Sequence, residues 1–128
     1  MKKILNLVVN KKWFDMIASG EKTEEYRNIK SYWVNQLVET KCGSSDEYRR
    51  AKTNPVFYML ISNTYLKDLF RTKTARFIHF THVRFFHGYA KNRPCIEKEI
   101  VSIKIGKPKK GMCPNEWLDQ EFFIIKYK

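Results

Sequence analysis

Gly20-Glu21-Lys22-Thr23-Glu24-Glu25-Tyr26-Arg27 is the stretch that decides how this chain reads, and it has the form G-x-K-x-x-E-x-R. It follows a short amphipathic segment, Lys11–Ser19, and precedes an aromatic pair, Tyr32-Trp33. Glycine ends helices in a left-handed conformation that residues with a Cβ adopt only at a cost. The residues after Gly20 read as a strand. On an extended segment Glu25 and Arg27 share one face, two residues apart. Lys22 has the opposite parity, so it joins them only from within the turn, where the backbone re-aims it. A lysine, a carboxylate and an arginine gathered at a turn make a polar site, not core.

Periodicity organises the chain on either side. Residues 3–9 are β-rich and read as a first strand. Lys11–Ser19 places Trp13, Phe14 and Ile17 at helical spacing, which predicts a short helix with an apolar stripe. Residues 21–29 form the predicted second strand. Ser31 reads as the cap of a helix running to Val38, with Trp33, Leu37 and Val38 turned inward. Residues 40–52 are polar and read as loop or a short exposed helix. Within residues 55–70, Asn63 or Thr64 starts a helix holding Leu66, Leu69 and Phe70. Residues 75–86 are rich in Phe, Ile, Val and Thr and strand-like. Residues 95–105 alternate at their end, with Val101, Ile103 and Ile105 against Ser102 and Lys104. Residues 106–114 are a Lys-, Gly- and Pro-rich loop, and residues 122–127 a closing strand. About five strands and two or three helices in one domain predict an α+β fold, a mixed sheet curling toward a small β-barrel.

Length and composition bound the function. A chain of 128 residues is expected to form a single domain. Its hydrophobic content of 43% suffices for a core. The 25 basic residues outnumber the 13 acidic ones, for a net charge of +12. Such a surplus attracts polyanions, RNA or DNA first among them. Lysines that merely solvate the surface are the plainer alternative.

The apolar run of residues 4–9 is interrupted by Asn6 and stopped by Asn10-Lys11-Lys12, so it does not read as a secretory signal. No window approaches the roughly 18 apolar residues of a spanning helix. A soluble, cytoplasmic protein with no membrane partner is expected. Cys42, Cys95 and Cys113 are odd in number and far apart, which suits reduced thiols. His79, His82 and His87 alternate across strand faces, and the cysteines lack C-x-x-C spacing, so no metal or other cofactor is expected.

The order of motifs carries a resemblance. A strand and a Lys-Trp-Phe-x-x-Ile helix lead into Gly20-x-Lys22-x-x-Glu25-x-Arg27 and Tyr32-Trp33. Later come Val83-Arg84-Phe85, Gly88-Tyr89, Asn92-Arg93-Pro94 and Ile96-x-x-Glu99-Ile100-x-x-Ile103-x-Ile105-Gly106. The chain resembles the ASCH domain family of the PUA-like superfamily, in its small single-domain phage and bacterial form. The likeness covers residues 4–33 and 83–106, and residues 40–74 look like an insertion. It implies a small barrel with helices at its rim, a cleft beside the octad, and binding of RNA or a nucleoside-like ligand. One bacterial branch of the family is similar but hydrolyses the amide of N4-acetylcytidine. That branch uses a lysine at the position of Lys22, a threonine at that of Glu25, and a glutamate that Glu99 would match. Here a carboxylate stands in place of the threonine.

Two functional readings follow. In the first, Lys22, Glu25, Arg27, Arg84, Tyr89 and Arg93 bind RNA or a nucleotide. A base stacks on Tyr89 while the cations hold its backbone. In the second, the protein is a metal-independent amidohydrolase with Lys22, Glu99 and Glu25 as its catalytic groups. A lysine acts as base or nucleophile only where burial or neighbouring cations lower its pKa. Beside Glu25 and Glu99, Lys22 instead reads as an ammonium that polarises a carbonyl, with a carboxylate activating water. A third reading has a phage protein grip a host partner through residues 40–74. The plainer alternatives are an ion-pair network that fixes the barrel mouth, an Arg27 that only pairs with Glu25, and solvated charges around Tyr89. Lys104, Lys107, Lys109 and Lys110 either touch phosphates or solvate a loop. Trp13, Phe14 and Trp33 read as core.

Overall fold

Gly20 ends the first helix as the sequence predicts, and Asn10 caps its start. Asn10 Oδ1 accepts from the Trp13 amide at 3.2 Å. Gly20 takes φ 85° and donates its N–H to Ile17 O. Between them lies α1, Lys11–Ser19. The computed structural model describes residues 1–41, 44–53 and 63–128. They divide into two units, residues 1–26 with 79–128, and residues 27–78.

The first unit is built on β1 (Ile4–Val9), the first three residues of β2 (Glu24–Asn28), β6 (His82–His87), β7 (Cys95–Gly106) and β8 (Phe122–Tyr127). Their order is β1-β6-β7-β8-β2. β1 runs parallel to β6, while β6–β7 and β7–β8 are antiparallel. β7 divides its length between neighbours. Residues 95–99 pair with β6 and residues 100–106 with β8. A bulge between Ile100 and Ser102 marks the change and leaves Val101 exposed; such an extra residue bends a strand. β8 buries both faces. Phe122 and Ile124 pack with Tyr26 and Cys113, against Met112, Trp117 and Leu118. On the other parity stand Phe123, Ile125 and Tyr127, the last with its ring centroid 5.0 Å from that of Phe85. Ile17 is fully buried, whereas Trp13 and Phe14, expected as core, are half-buried.

The second unit holds α2 (Ser31–Leu37), β3 (Val38–Thr40), β4 (Arg49–Arg50), α3 (Asn63–Arg71) and β5 (Ala75–Phe77). The three strands form an antiparallel sheet in the order β4-β3-β5. Val34, Leu37, Val38, Ala51, Leu66, Ala75 and Ile78 are its core. Ser31 is the first residue of α2 rather than its cap; that place falls to Lys30, with no side-chain bond. Trp33 is half-buried, edge-on to Tyr32. Of the expected insertion, residues 42–43 and 54–62 lie outside the described residues.

The α+β class holds, and the strands divide between two sheets. Among the described residues the strands form one mixed five-stranded and one three-stranded sheet, and no closed barrel. The physical reason is pairing: β3, β4 and β5 satisfy one another instead of extending the larger sheet. Among the described residues no helix is long and apolar enough to cross a membrane.

Candidate functional site

Lys22 lies in the turn before β2, where its backbone N–H donates to Met16 O at 3.0 Å. From there its side chain is turned inward and is 1% exposed. The ammonium donates to Met112 O at 2.5 Å and stands 3.4 Å from Glu25 Oε1. Two rings complete the cage, with Nζ 4.7 Å from the centroid of Tyr26 and 5.2 Å from that of Trp13. A carbonyl, a carboxylate and two π faces together replace the water that a buried cation gives up.

Alternation along β2 sets a second layer. Glu24 and Tyr26 share a parity, and the Tyr26 hydroxyl donates to Glu24 Oε1 at 2.8 Å. It accepts in turn from the Lys109 amide at 3.0 Å, while Lys109 Nζ stands 3.6 Å from Glu24 Oε2. Burial pushes the Tyr26 hydroxyl far above its ordinary range, and the bond to Glu24 adds to the rise. Tyr127 is raised as well, first by burial and then by the charge of Glu25. Its hydroxyl donates to Lys22 O at 2.8 Å. Cys113 is also pushed up by burial, against an opposing pull from Lys22.

The lysine-rich loop closes over both layers. Met112 supplies the carbonyl for Lys22, Lys109 bonds to Tyr26 and Glu24, and the Met112 amide donates to Lys109 O at 3.2 Å. Lys107, Lys109 and Lys110 remain exposed at its rim. Sequence reasoning singled out Lys22 and Glu25 but not Glu24, Tyr26 or the Met112 carbonyl, and it read Lys109 as a phosphate contact or a solvated loop residue rather than a partner of Tyr26 and Glu24. The alternation Glu24-x-Tyr26 was a readable signal for the first two. A backbone acceptor has no residue-type signature.

The other expected site residues each have recorded neighbours. Arg27 opens the second unit, its guanidinium 4.9 Å from the Trp33 ring centroid. Glu99 stands opposite His82 in the sheet register, and its carboxylate is 3.4 Å from Lys128 Nζ. Arg84 is engaged by Glu97 at 2.8 Å, and Lys2 takes the other carboxylate oxygen at 2.6 Å. Those two bonds, Lys2 first, lower the Glu97 carboxyl to about 2.

Tyr89 and Arg93 stand together on the hairpin between β6 and β7. Gly88 takes φ 76° to begin the turn. Tyr89 is 83% exposed. Arg93 lies with its guanidinium 3.9 Å from the Phe86 ring centroid and donates to Gly88 O at 3.3 Å. Lys91 is exposed beside them.

Comparison with family models, with curated proteins and with solved structures finds no match to this chain.

Proposed function

We propose that the chain is a PUA-like module of the ASCH type that binds RNA, holding it at the hairpin tip of residues 88–94. The observation that carries this reading is Tyr89, a large aromatic ring 83% exposed on a hairpin that also holds Lys91 and Arg93. A ring in water with charge beside it suits an unstacked base whose backbone the cations hold. Arg93 is already fixed on Phe86 and on Gly88 O, so little side-chain freedom remains to be lost on binding. The net charge of +12 supports association with a polyanion. Burial of Lys22 supports binding over amide hydrolysis, because its ammonium is already occupied by Met112 O and Glu25.

Anisotropy of a short fluorescent single-stranded RNA tests the reading. Loss of one stacked base is worth about 1–3 kcal/mol, so Tyr89→Ala is expected to raise Kd by about 5-fold to 150-fold. Equal affinities for parent and variant would remove the hairpin from the site. Incubation with N4-acetylcytidine is expected to release no cytidine; release abolished by Lys22→Ala would replace binding with hydrolysis.

A further inference from the structure

The second unit carries a cationic sheet face that the hairpin does not use. Glu39 of β3 stands opposite Arg50 of β4 on one side and Arg76 of β5 on the other. Directly opposed residues share a face, so these three form one row across the sheet. Val38, Thr40 and Ala75 have the other parity and are buried. Lys41 and Tyr48 extend the outer row by one register step. Lys41 Nζ stands 5.2 Å from the Tyr48 ring centroid, and the Arg76 guanidinium stands 3.8 Å from it. The Tyr48 hydroxyl donates to Lys73 O, which fixes the ring in place.

Arg76 is the focus of this face. Its Nε donates to Glu39 Oε1 at 2.6 Å, yet its side chain is 58% exposed. Held at Nε by a carboxylate and on one plane by a ring, it still keeps more than half of its side chain in water. A pre-ordered planar guanidinium matches a phosphate better than a freely rotating lysine does. Lys41, Arg50 and Arg76 outnumber the one carboxylate, Glu39.

We propose that the outer face of β3, β4 and β5 is a second RNA contact, with Arg76 the ordered ligand of a backbone phosphate and Lys41 and Arg50 its companions. The proposal shares with the hairpin reading the choice of RNA, but it rests on different residues. A single strand is favoured over an acidic protein because the guanidinium plane opposite Tyr48 suits a base as well as its edge suits phosphate.

Binding of single-stranded RNA is measured across a series of KCl concentrations for the parent, Tyr89→Ala, and Lys41→Gln with Arg76→Gln combined. Each lost phosphate contact on a single strand lowers the slope of log K against log salt by about 0.7, so the double variant is expected to lose about 1.4. Its affinity at moderate salt is expected to fall about tenfold, while Tyr89→Ala keeps the parental slope. An unchanged slope and affinity in the double variant, with parental binding intact, overturns this surface and spares the hairpin. A loss in the double variant with Tyr89→Ala unaffected supports this surface and removes the hairpin. Failure of the parent to bind RNA overturns both. Poly-L-glutamate bound as tightly as RNA, with the same sensitivity to the double variant, reassigns the face to an acidic protein. Arg76→Lys keeps the charge and serves if the double variant unfolds: weaker binding at constant slope supports the surface, and unchanged Kd overturns it.

Discussion

Lys22 is an amine taken almost wholly out of water, at 1% side-chain exposure, and its neighbours compensate for the loss. Met112 O and Glu25 take its charge from two directions, and the rings of Trp13 and Tyr26 line the rest. Glu25 depends on Lys22 in return, being itself 10% exposed in its side chain. Removing one member of a buried pair leaves an uncompensated charge, which costs about 3–5 kcal/mol. Lys22→Met is therefore expected to lower unfolding stability by about that much, read as a shifted midpoint in urea. Adding Glu25→Gln is expected to recover a large part of the loss, because the orphaned charge goes with it. A single variant as stable as the parent would show that the ammonium does not hold the turn, and Lys22 would become a ligand group again. The residues themselves made this pair legible. The i, i+3 spacing in a turn was enough to suspect it, while the carbonyl that completes it comes from residue 112 and leaves no trace near residue 22.

Elements were legible where local chemistry and packing agreed. α1 was readable because Gly20 stops it and Ile17 marks its inner face, while the cap at Asn10 was not read. β8 was readable because five of its six residues are buried apolar or aromatic. β3 and β4 were not, since three and two residues carry too little pattern and the pairing that defines them is between distant segments. The strand-like run of residues 75–86 is two strands, β5 and β6, which join different sheets. Ile78 and Phe80 are both buried between them, so hydropathy showed no break. A short-range ion triad ties β6 to β7: Arg84 and Lys2 both hold Glu97. The bond from Lys2, then that from Arg84, lowers its carboxyl from 4.5 to about 2. A depressed carboxyl stabilises the fold above its unfolded value and loses that contribution as pH falls through the folded one. Glu97→Gln is thus expected to flatten the decline in stability between pH 4.5 and about 2, measured as urea midpoints at several pH values. Parallel acid limbs in parent and variant would mean that the triad adds nothing to folding.

At the scale of the whole molecule the alkaline side is governed by tyrosine. The chain has seven tyrosines, of which Tyr32 and Tyr89 are exposed and Tyr26 and Tyr127 nearly sealed, at 3% and 4%. Burial is the leading reason that both sealed hydroxyls are raised far above their ordinary 10.0, and nearby carboxylates push the same way. The sign follows from proton counting. Above pH 10 the unfolded chain sheds these two protons while the folded chain keeps them. The unfolded state then binds fewer protons, so stability falls as pH rises. Below pH 10 both states keep them and the contribution is complete. Absorbance at 295 nm is followed together with far-ultraviolet circular dichroism. The signals of Tyr26 and Tyr127 are expected to rise only together with loss of secondary structure. Tyr127→Phe removes one of the two withheld protons, so the decline above pH 10 is expected to be shallower, although the lost bond to Lys22 O lowers stability at neutral pH. Ionisation of Tyr26 and Tyr127 near their ordinary 10.0 with the fold retained would mean that water reaches the floor beneath residues 107–113. Lys22 would then lie open to a substrate.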